Sequence, residues 1–250
     1  PKPTSLITRL MQYGYVNNND IVLDFFSGSG TTAHAFWKYE IIKEIFAKFI
    51  LVQLPENLDK SLLSASTDAK KNIRNAIDLL DKIGKPHLLT EIAKERIRRA
   101  GAKIKEENPD KAQNLDTGFR VLKLDSSNMK NVFYSPKETS QLELFTLVDN
   151  VKDDRTSRDL LFQVMLELGA TLDSKIEESK VDGKTIYNVG DGYLMACFDQ
   201  EVSDDVVTAI AKMQPTYAVL RDTGMADDAT ATNFEQIFKT YAPNTTTRIL

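Results

Sequence analysis

The hydrophobic and polar positions at the start of the chain predict two apolar strands joined by a helix. An amphipathic helix is predicted first, over residues 2–13, because its apolar residues recur on one face: Leu6, Ile7, Leu10 and Met11. The polar stretch 17–20 is a turn signal, and the apolar run 21–23 is typical of a strand covered on both faces. A glycine-containing turn follows, then a helix continuing towards Lys48 and a second apolar strand over 49–54. Together they predict a βαβ unit, which requires a parallel sheet and a right-handed crossover.

The rest of the chain alternates helix and strand patterns. Helices are predicted over 68–80 and 88–107, and a strand over 119–124. The apolar periodicity lapses in the polar segment 130–141, so we place the boundary between domains 1–130 and 131–250 there. The second domain shows helix patterns at 158–168, 204–213 and 234–241, a hairpin at 185–188 with 193–198, and a strand at 217–220. The predicted fold class is α/β, with a small α/β C-terminal domain.

Composition excludes several classes of protein. With 250 residues, of which 42% are hydrophobic and 27% charged, the chain can bury two cores. No apolar run approaches the roughly 20 residues of a membrane helix, and the opening residues lack a secretory pattern, so we expect a cytoplasmic protein with no membrane partner. The formal net charge of -4 gives no global attraction for phosphate backbones. The single cysteine, Cys197, can form neither an internal disulfide nor a zinc site.

The candidate chemistry lies between the first strand and the following helix. Gly28 and Gly30 allow a sharp turn and let another molecule approach the backbone closely. The helix N-terminus behind them carries a partial positive charge that suits a carboxylate or a phosphate. Asp24, at the carboxyl end of the strand, could accept a hydrogen bond from an amine.

Several kinds of site remain open on these residues alone. A phosphate-binding P-loop would need a lysine where Thr31 stands. The spacing Gly28-x-Gly30-x-x-Ala33 satisfies the dinucleotide fingerprint of a nicotinamide-dependent oxidoreductase, but that fingerprint wants an acidic residue where Gln53 ends the second strand. The glycines could also make a tight turn without any ligand.

A longer motif carries a family resemblance. The stretch Asp24-Phe25-Phe26-Ser27-Gly28-Ser29-Gly30-Thr31-Thr32 resembles motif I of amino-group DNA methyltransferases of the circularly permuted β type. The preceding helix, which begins Lys2-Pro3, resembles the one that lines the same cofactor pocket in that class. Residues 49–56, 92–101, 115–119 and 123–128 resemble the modification subunit of type III restriction-modification systems, and the likeness continues weakly through Arg221-Asp222 and Thr232-Asn233.

The resemblance implies a site for S-adenosylmethionine on an incomplete Rossmann-like methyltransferase sheet. Gly28 and Gly30, with Ser29 between them, would pass the methionine portion, Thr31 and Thr32 would lie near its carboxylate, and Asp24 near its amino group. Gln53 would face the ribose, with Glu56 as the alternative. Phe25 or Phe26 would form an apolar wall, and Lys2 and Pro3 would border the pocket.

The resemblance also implies a catalytic part that these residues do not supply. In the β type, an Asp-Pro-Pro-Tyr-like motif that holds the flipped adenine precedes the cofactor motif, and no such tetrapeptide occurs here. We therefore expect the parent protein to methylate N6 of adenine in double-stranded DNA, and this chain alone to be inactive. The implied partners are the restriction subunit and a second modification subunit. Residues 131–250 would then dimerise or dock subunits, or be an ordinary folded core.

The charged helix pattern at 88–107 has a simpler interpretation. Basic residues there alternate with Glu91, Glu95, Glu106 and Glu107, which favours a solvated face with helical ion pairs over a phosphate-binding surface. On the helix after the glycines, His34 is interpreted as a packed or surface residue rather than a catalytic one, and Trp37 as a core packing residue.

Overall fold

A computed structural model describes residues 2–130, 150–221 and 228–250, and the chain divides into two compact units. The first comprises residues 1–119 and the second residues 120–250. The boundary between domains was expected at residues 130–141. Residues 131–141 lie outside the described residues, as does Asp222. Among the helices in the described ranges, none is long and apolar enough to cross a membrane.

The first unit is a two-stranded parallel sheet with five helices. Its elements in chain order are α1 (Thr4–Tyr13), β1 (Ile21–Asp24), α2 (Thr31–Lys43), β2 (Lys48–Leu51), α3 (Leu58–Ser64), α4 (Thr67–Lys82) and α5 (Leu89–Glu107). Strands β1 and β2 pair in register from Ile21 with Lys48 to Asp24 with Leu51. The expected βαβ unit is therefore present.

The core of this unit surrounds α2. Nine of its thirteen residues are buried, because α1 and α5 pack on it and its Phe36 and Trp37 side chains face the sheet. Phe36 and Trp37 make edge-to-face contacts with Phe49 of β2, at ring-centre distances of 5.3 and 5.8 Å. Trp37 is 1% exposed, so its interpretation as a packing residue is confirmed.

The two faces of the sheet have different surroundings. Val22, Phe49 and Leu51 point into the core. The opposite face, which we call the open face, carries the apolar side chains of Ile21, Leu23, Ile50 and Val52, and these are between 44% and 59% exposed. The strands thus carry apolar side chains on both faces of the sheet, although only one face is covered.

The second unit is a five-stranded sheet between two helical layers. Its elements are α6 (Ser157–Glu167), β3 (Ile176–Val181), β4 (Lys184–Val189), β5 (Leu194–Cys197), α7 (Asp204–Lys212), β6 (Tyr217–Leu220), α8 (Asp228–Tyr241) and β7 (Thr246–Ile249). The strands stand in the order β3-β4-β5-β6-β7, with the first two pairings antiparallel and the last two parallel. Helix α6 packs on one face of the sheet, and α7 and α8 pack on the other.

Some element predictions were wrong. The helix expected to continue towards Lys48 ends at Lys43, because Glu44 adopts a left-handed conformation with φ 55°. Residues 119–124 form no strand, and Val121, Leu122 and Leu124 are exposed. Helix α3 and strands β3 and β7 were not predicted. The mixed α/β class and the other predicted elements of both units are confirmed.

Candidate cofactor-binding turn

Residues 25–30, which we call the glycine turn, connect the carboxyl end of β1 to the N-terminus of α2. Gly28 and Gly30 have φ of 55° and 72°, and Gly30 is the N-cap of α2. The Gly30 amide donates to the Ser27 carbonyl over 2.9 Å, which closes the turn. Both glycines therefore occupy the left-handed region, where residues with side chains are strained.

Gly30 is also constrained by space. A Cβ placed on it would lie 3.1 Å from Ile97 Cγ1 and 3.2 Å from the Ala93 carbonyl oxygen, both on α5. The turn thus lies directly against α5, and a side chain at residue 30 would push the two apart.

Asp24 braces the turn from the end of β1. Its Oδ1 accepts a hydrogen bond from the Phe26 amide over 3.0 Å, and its Oδ2 accepts one from the Thr32 hydroxyl over 2.5 Å. One carboxylate therefore joins the strand, the turn and the first helical residues.

Gln53 braces the turn from the end of β2. Its Oε1 accepts a hydrogen bond from the Gly28 amide over 2.7 Å, and its Nε2 donates to the Leu54 carbonyl. Gln53 thus lies beside the turn at the carboxyl edge of the sheet, where open α/β sheets bind ligands.

Arg96 on α5 contacts the turn from the third side. Its Nη1 donates to the Ser29 hydroxyl over 2.9 Å and to the Thr31 hydroxyl over 2.7 Å. Burial lowers the pKa of this guanidinium. The interpretation of the basic helix as a solvated face is confirmed for Arg98 and Arg99, which pair with Glu95, but it is wrong for Arg96. The one available signal was its position next to Ile97, on the apolar stripe of α5.

The other predicted site residues are less closely joined to the turn. Phe25 and Phe26 are 63% and 88% exposed, so their rings are open to a ligand. Glu56 is exposed and accepts a hydrogen bond from the Ser61 hydroxyl over 2.5 Å. Lys2 and Pro3 are exposed at the start of α1.

Two titratable groups on α2 have shifted pKa values. Burial, followed by the charges of Lys38 and Arg96, lowers the pKa of His34. Burial raises the pKa of Glu40 to about 7, although its Oε1 accepts a hydrogen bond from the Ala47 amide. Neither group contacts the glycine turn through a described hydrogen bond. Within the described ranges, no cluster of three or more His, Cys, Asp or Glu residues could hold a metal ion.

The arrangement favours an anionic ligand group bonded to an apolar or aromatic body. The α2 N-terminus and the Arg96 guanidinium supply positive charge, and the Ser29 and Thr31 hydroxyls supply donors. The exposed rings of Phe25 and Phe26 supply the apolar surface.

Comparison with known proteins indicates the class of protein that the start of the chain resembles. Residues 1–41, which contain α1, β1, the glycine turn and most of α2, match the N6/N4 family described as DNA methylase. The glycine turn therefore lies within the segment that is similar to this DNA methylase family.

The chain is also similar to two modification subunits. The chain is 38% identical over 120 residues to the Mod subunit of the type III restriction-modification enzyme StyLTI of Salmonella typhimurium, which covers 48% of this chain and 15% of that protein. It is 31% identical over 186 residues to the EcoP15I Mod subunit of Escherichia coli, which covers 73% of this chain and 23% of that protein. The chain is thus homologous to part of the modification subunits of type III restriction-modification systems.

Proposed function

We propose that the first unit binds S-adenosylmethionine at the glycine turn. The observation that carries this proposal is the brace on three sides: Asp24, Gln53 and Arg96 hold two left-handed glycines at the N-terminus of a buried helix. The carboxylate of the cofactor's amino-acid end would meet the hydroxyls of Ser29 and Thr31. The adenosine would lie towards Gln53 and the phenylalanine rings.

We further propose that β1 and β2 belong to a larger Rossmann-like methyltransferase sheet. A two-stranded sheet is marginally stable in water, and an all-parallel sheet is normally covered on both faces. The open face supports this proposal, because Leu23 and Ile50 are 48% exposed although they are typical buried-strand residues.

The whole protein, in this proposal, transfers the methyl group to N6 of adenine in double-stranded DNA within the cytoplasm. The 250 residues contain no Asp-Pro-Pro-Tyr tetrapeptide, so the expected methyl transfer by this chain alone is nil. Incubation with tritiated S-adenosylmethionine and adenine-containing duplex DNA measures it. Turnover comparable to that of a complete methyltransferase would contradict the expectation.

Isothermal titration of the chain with S-adenosylmethionine tests the cofactor. We expect saturable binding that S-adenosylhomocysteine competes for, and no heat from NAD. Thr32→Val is the matched variant, because it removes the hydrogen bond to Asp24 with little change in shape. Binding of NAD in preference to S-adenosylmethionine would instead favour the dinucleotide-dependent oxidoreductase.

For the second unit, we propose a role in assembly of the modification subunit, either with a second copy or with the restriction subunit. The EcoP15I match of 186 residues is longer than the first unit and so extends into the second. Size-exclusion chromatography with light scattering tests it, and a chain that is monomeric at all concentrations and does not bind a restriction subunit would contradict it.

A further inference from the structure

Arg96 differs from four other cations of α5, Lys94, Arg98, Arg99 and Lys103, in what it contacts. Arg98 and Arg99 pair with Glu95, Lys94 pairs with Glu91, and Lys103 pairs with Glu107. Arg96 instead donates to two neutral hydroxyls, and no carboxylate of the described residues lies within ion-pair distance of it. Its positive charge is therefore not neutralised by any described ion pair where it meets the turn.

The direction of these hydrogen bonds decides whether the two hydroxyls can donate to a ligand. A guanidinium can only donate, so the Ser29 and Thr31 oxygens act as acceptors towards Arg96. The hydrogen of each hydroxyl must then point away from Nη1, where it can be donated to another acceptor. Arg96 thus prepares both hydroxyls as donors, at a helix N-terminus that already favours negative charge.

We propose that Arg96 is a positioning residue: through the Ser29 and Thr31 hydroxyls it fixes the conformation of the glycine turn and directs it towards the carboxylate of the bound cofactor. The identity of the ligand in this inference rests on the proposed function. The effect of Arg96 on the glycine turn is independent of the proposed function.

Binding of two ligands by two variants tests the ligand part. S-adenosylmethionine carries the amino-acid end, and 5′-methylthioadenosine lacks it. We expect Arg96→Gln to lower the affinity for S-adenosylmethionine by roughly 10-fold or more, as is typical for loss of a charged hydrogen bond. The affinity for 5′-methylthioadenosine should stay within about 2-fold of its value in the unchanged chain. Arg99→Gln, which removes an equal charge from an exposed site on the same helix, should change neither. Arg96→Lys should restore part of the affinity, because it keeps a charge and a donor.

Hydrogen exchange of the free protein tests the turn itself. We expect the amides of residues 28–32 to exchange faster in Arg96→Gln than in the unchanged chain or in Arg99→Gln. If Arg96→Gln fails to fold, Ser29→Ala removes one acceptor from the other side and should give the same increase.

The outcomes separate the two proposals. A chain that binds neither ligand but shows the exchange effect defeats the proposed cofactor and keeps the role of Arg96. Equal exchange in the Arg96 and Arg99 variants, or equal weakening of both ligands by Arg96→Gln, overturns the role of Arg96.

Discussion

The Thr32 hydroxyl donates to Asp24 Oδ2 over 2.5 Å, so the first turn of α2 is tied to the last residue of β1. The same carboxylate accepts the Phe26 amide through Oδ1. This pair sets the path of the glycine turn between the two elements.

The Asp24 carboxylate is expected to support cofactor binding. Asp24→Asn removes the charge and replaces one accepting oxygen by an NH2 donor, so the hydrogen bond from Thr32 or that from Phe26 is lost. We expect S-adenosylmethionine affinity to fall by roughly 10-fold, as for other hydrogen bonds to a charged group. Isothermal titration measures it, with exposed Asp110→Asn as the control. Unchanged affinity in Asp24→Asn would show that the brace is dispensable.

Substitution of Gly30 should destabilise the first unit through strain and crowding together. Gly30→Ala places a Cβ at φ 72°, within 3.3 Å of Ile97 and Ala93. Gly84→Ala is the matched control, since Gly84 has φ 63° and open space around it. We expect a loss of about 1 kcal/mol for Gly84→Ala from strain alone, and about 2–3 kcal/mol for Gly30→Ala.

Urea unfolding followed by Trp37 fluorescence measures both variants. Trp37 is the only tryptophan in the chain and is buried in the first unit, so its signal reports that unit. Equal losses of stability for the two variants would mean that α5 moves to make room for the added methyl group at no cost in free energy of unfolding.

Glu40 should make the first unit less stable as the pH rises. Burial raises its pKa from 4.5 to about 7, so the folded state binds a proton more tightly than the unfolded state does. Its favourable contribution is complete below pH 4.5 and is lost as the pH rises through about 7, a change of about 3 kcal/mol. We expect Glu40→Gln to flatten this part of the pH profile and to be more stable than the unchanged chain at pH 8. Urea midpoints from pH 4.5 to 8 check this, and parallel profiles for the two proteins would contradict it.

The two histidines of the chain should titrate on opposite sides of pH 6.5. Burial lowers the pKa of His34, whereas hydrogen bonds to Asp81 and Asp59 raise the pKa of His87. His87 Nε2 lies 2.9 Å from Asp81, and Nδ1 lies 3.0 Å from Asp59, so the protonated ring joins α3 to α4. Its stabilising contribution is complete below pH 6.5 and is lost as the pH rises through its raised pKa.

Proton NMR of the imidazole signals checks both values. Asp81→Asn should lower the pKa of His87 and leave that of His34 unchanged. Two coincident titrations near pH 6.5 would contradict the described contacts.

The glycine turn could be recognised from sequence because its determinants are local: two glycines, a preceding aspartate and a following helix. The role of Arg96 could not, because it depends on how α5 packs against residues more than sixty positions earlier. Strands β3 and β7 were missed for another reason. Both lie at the edges of their sheet, where polar sequences such as Ile176–Val181 are tolerated. Residues 119–124 show the reverse case, since their apolar pattern has no paired strand among the described residues.

The packing of α2 on nearly all sides has a consequence for how a ligand is received. Because α2 is packed in the core, it cannot rotate towards a ligand. The glycine turn at its N-terminus cannot move far unless α2 moves as well. Recognition at that bend would then follow lock-and-key behaviour, with little ordering entropy lost on association and most of the selectivity built in during folding.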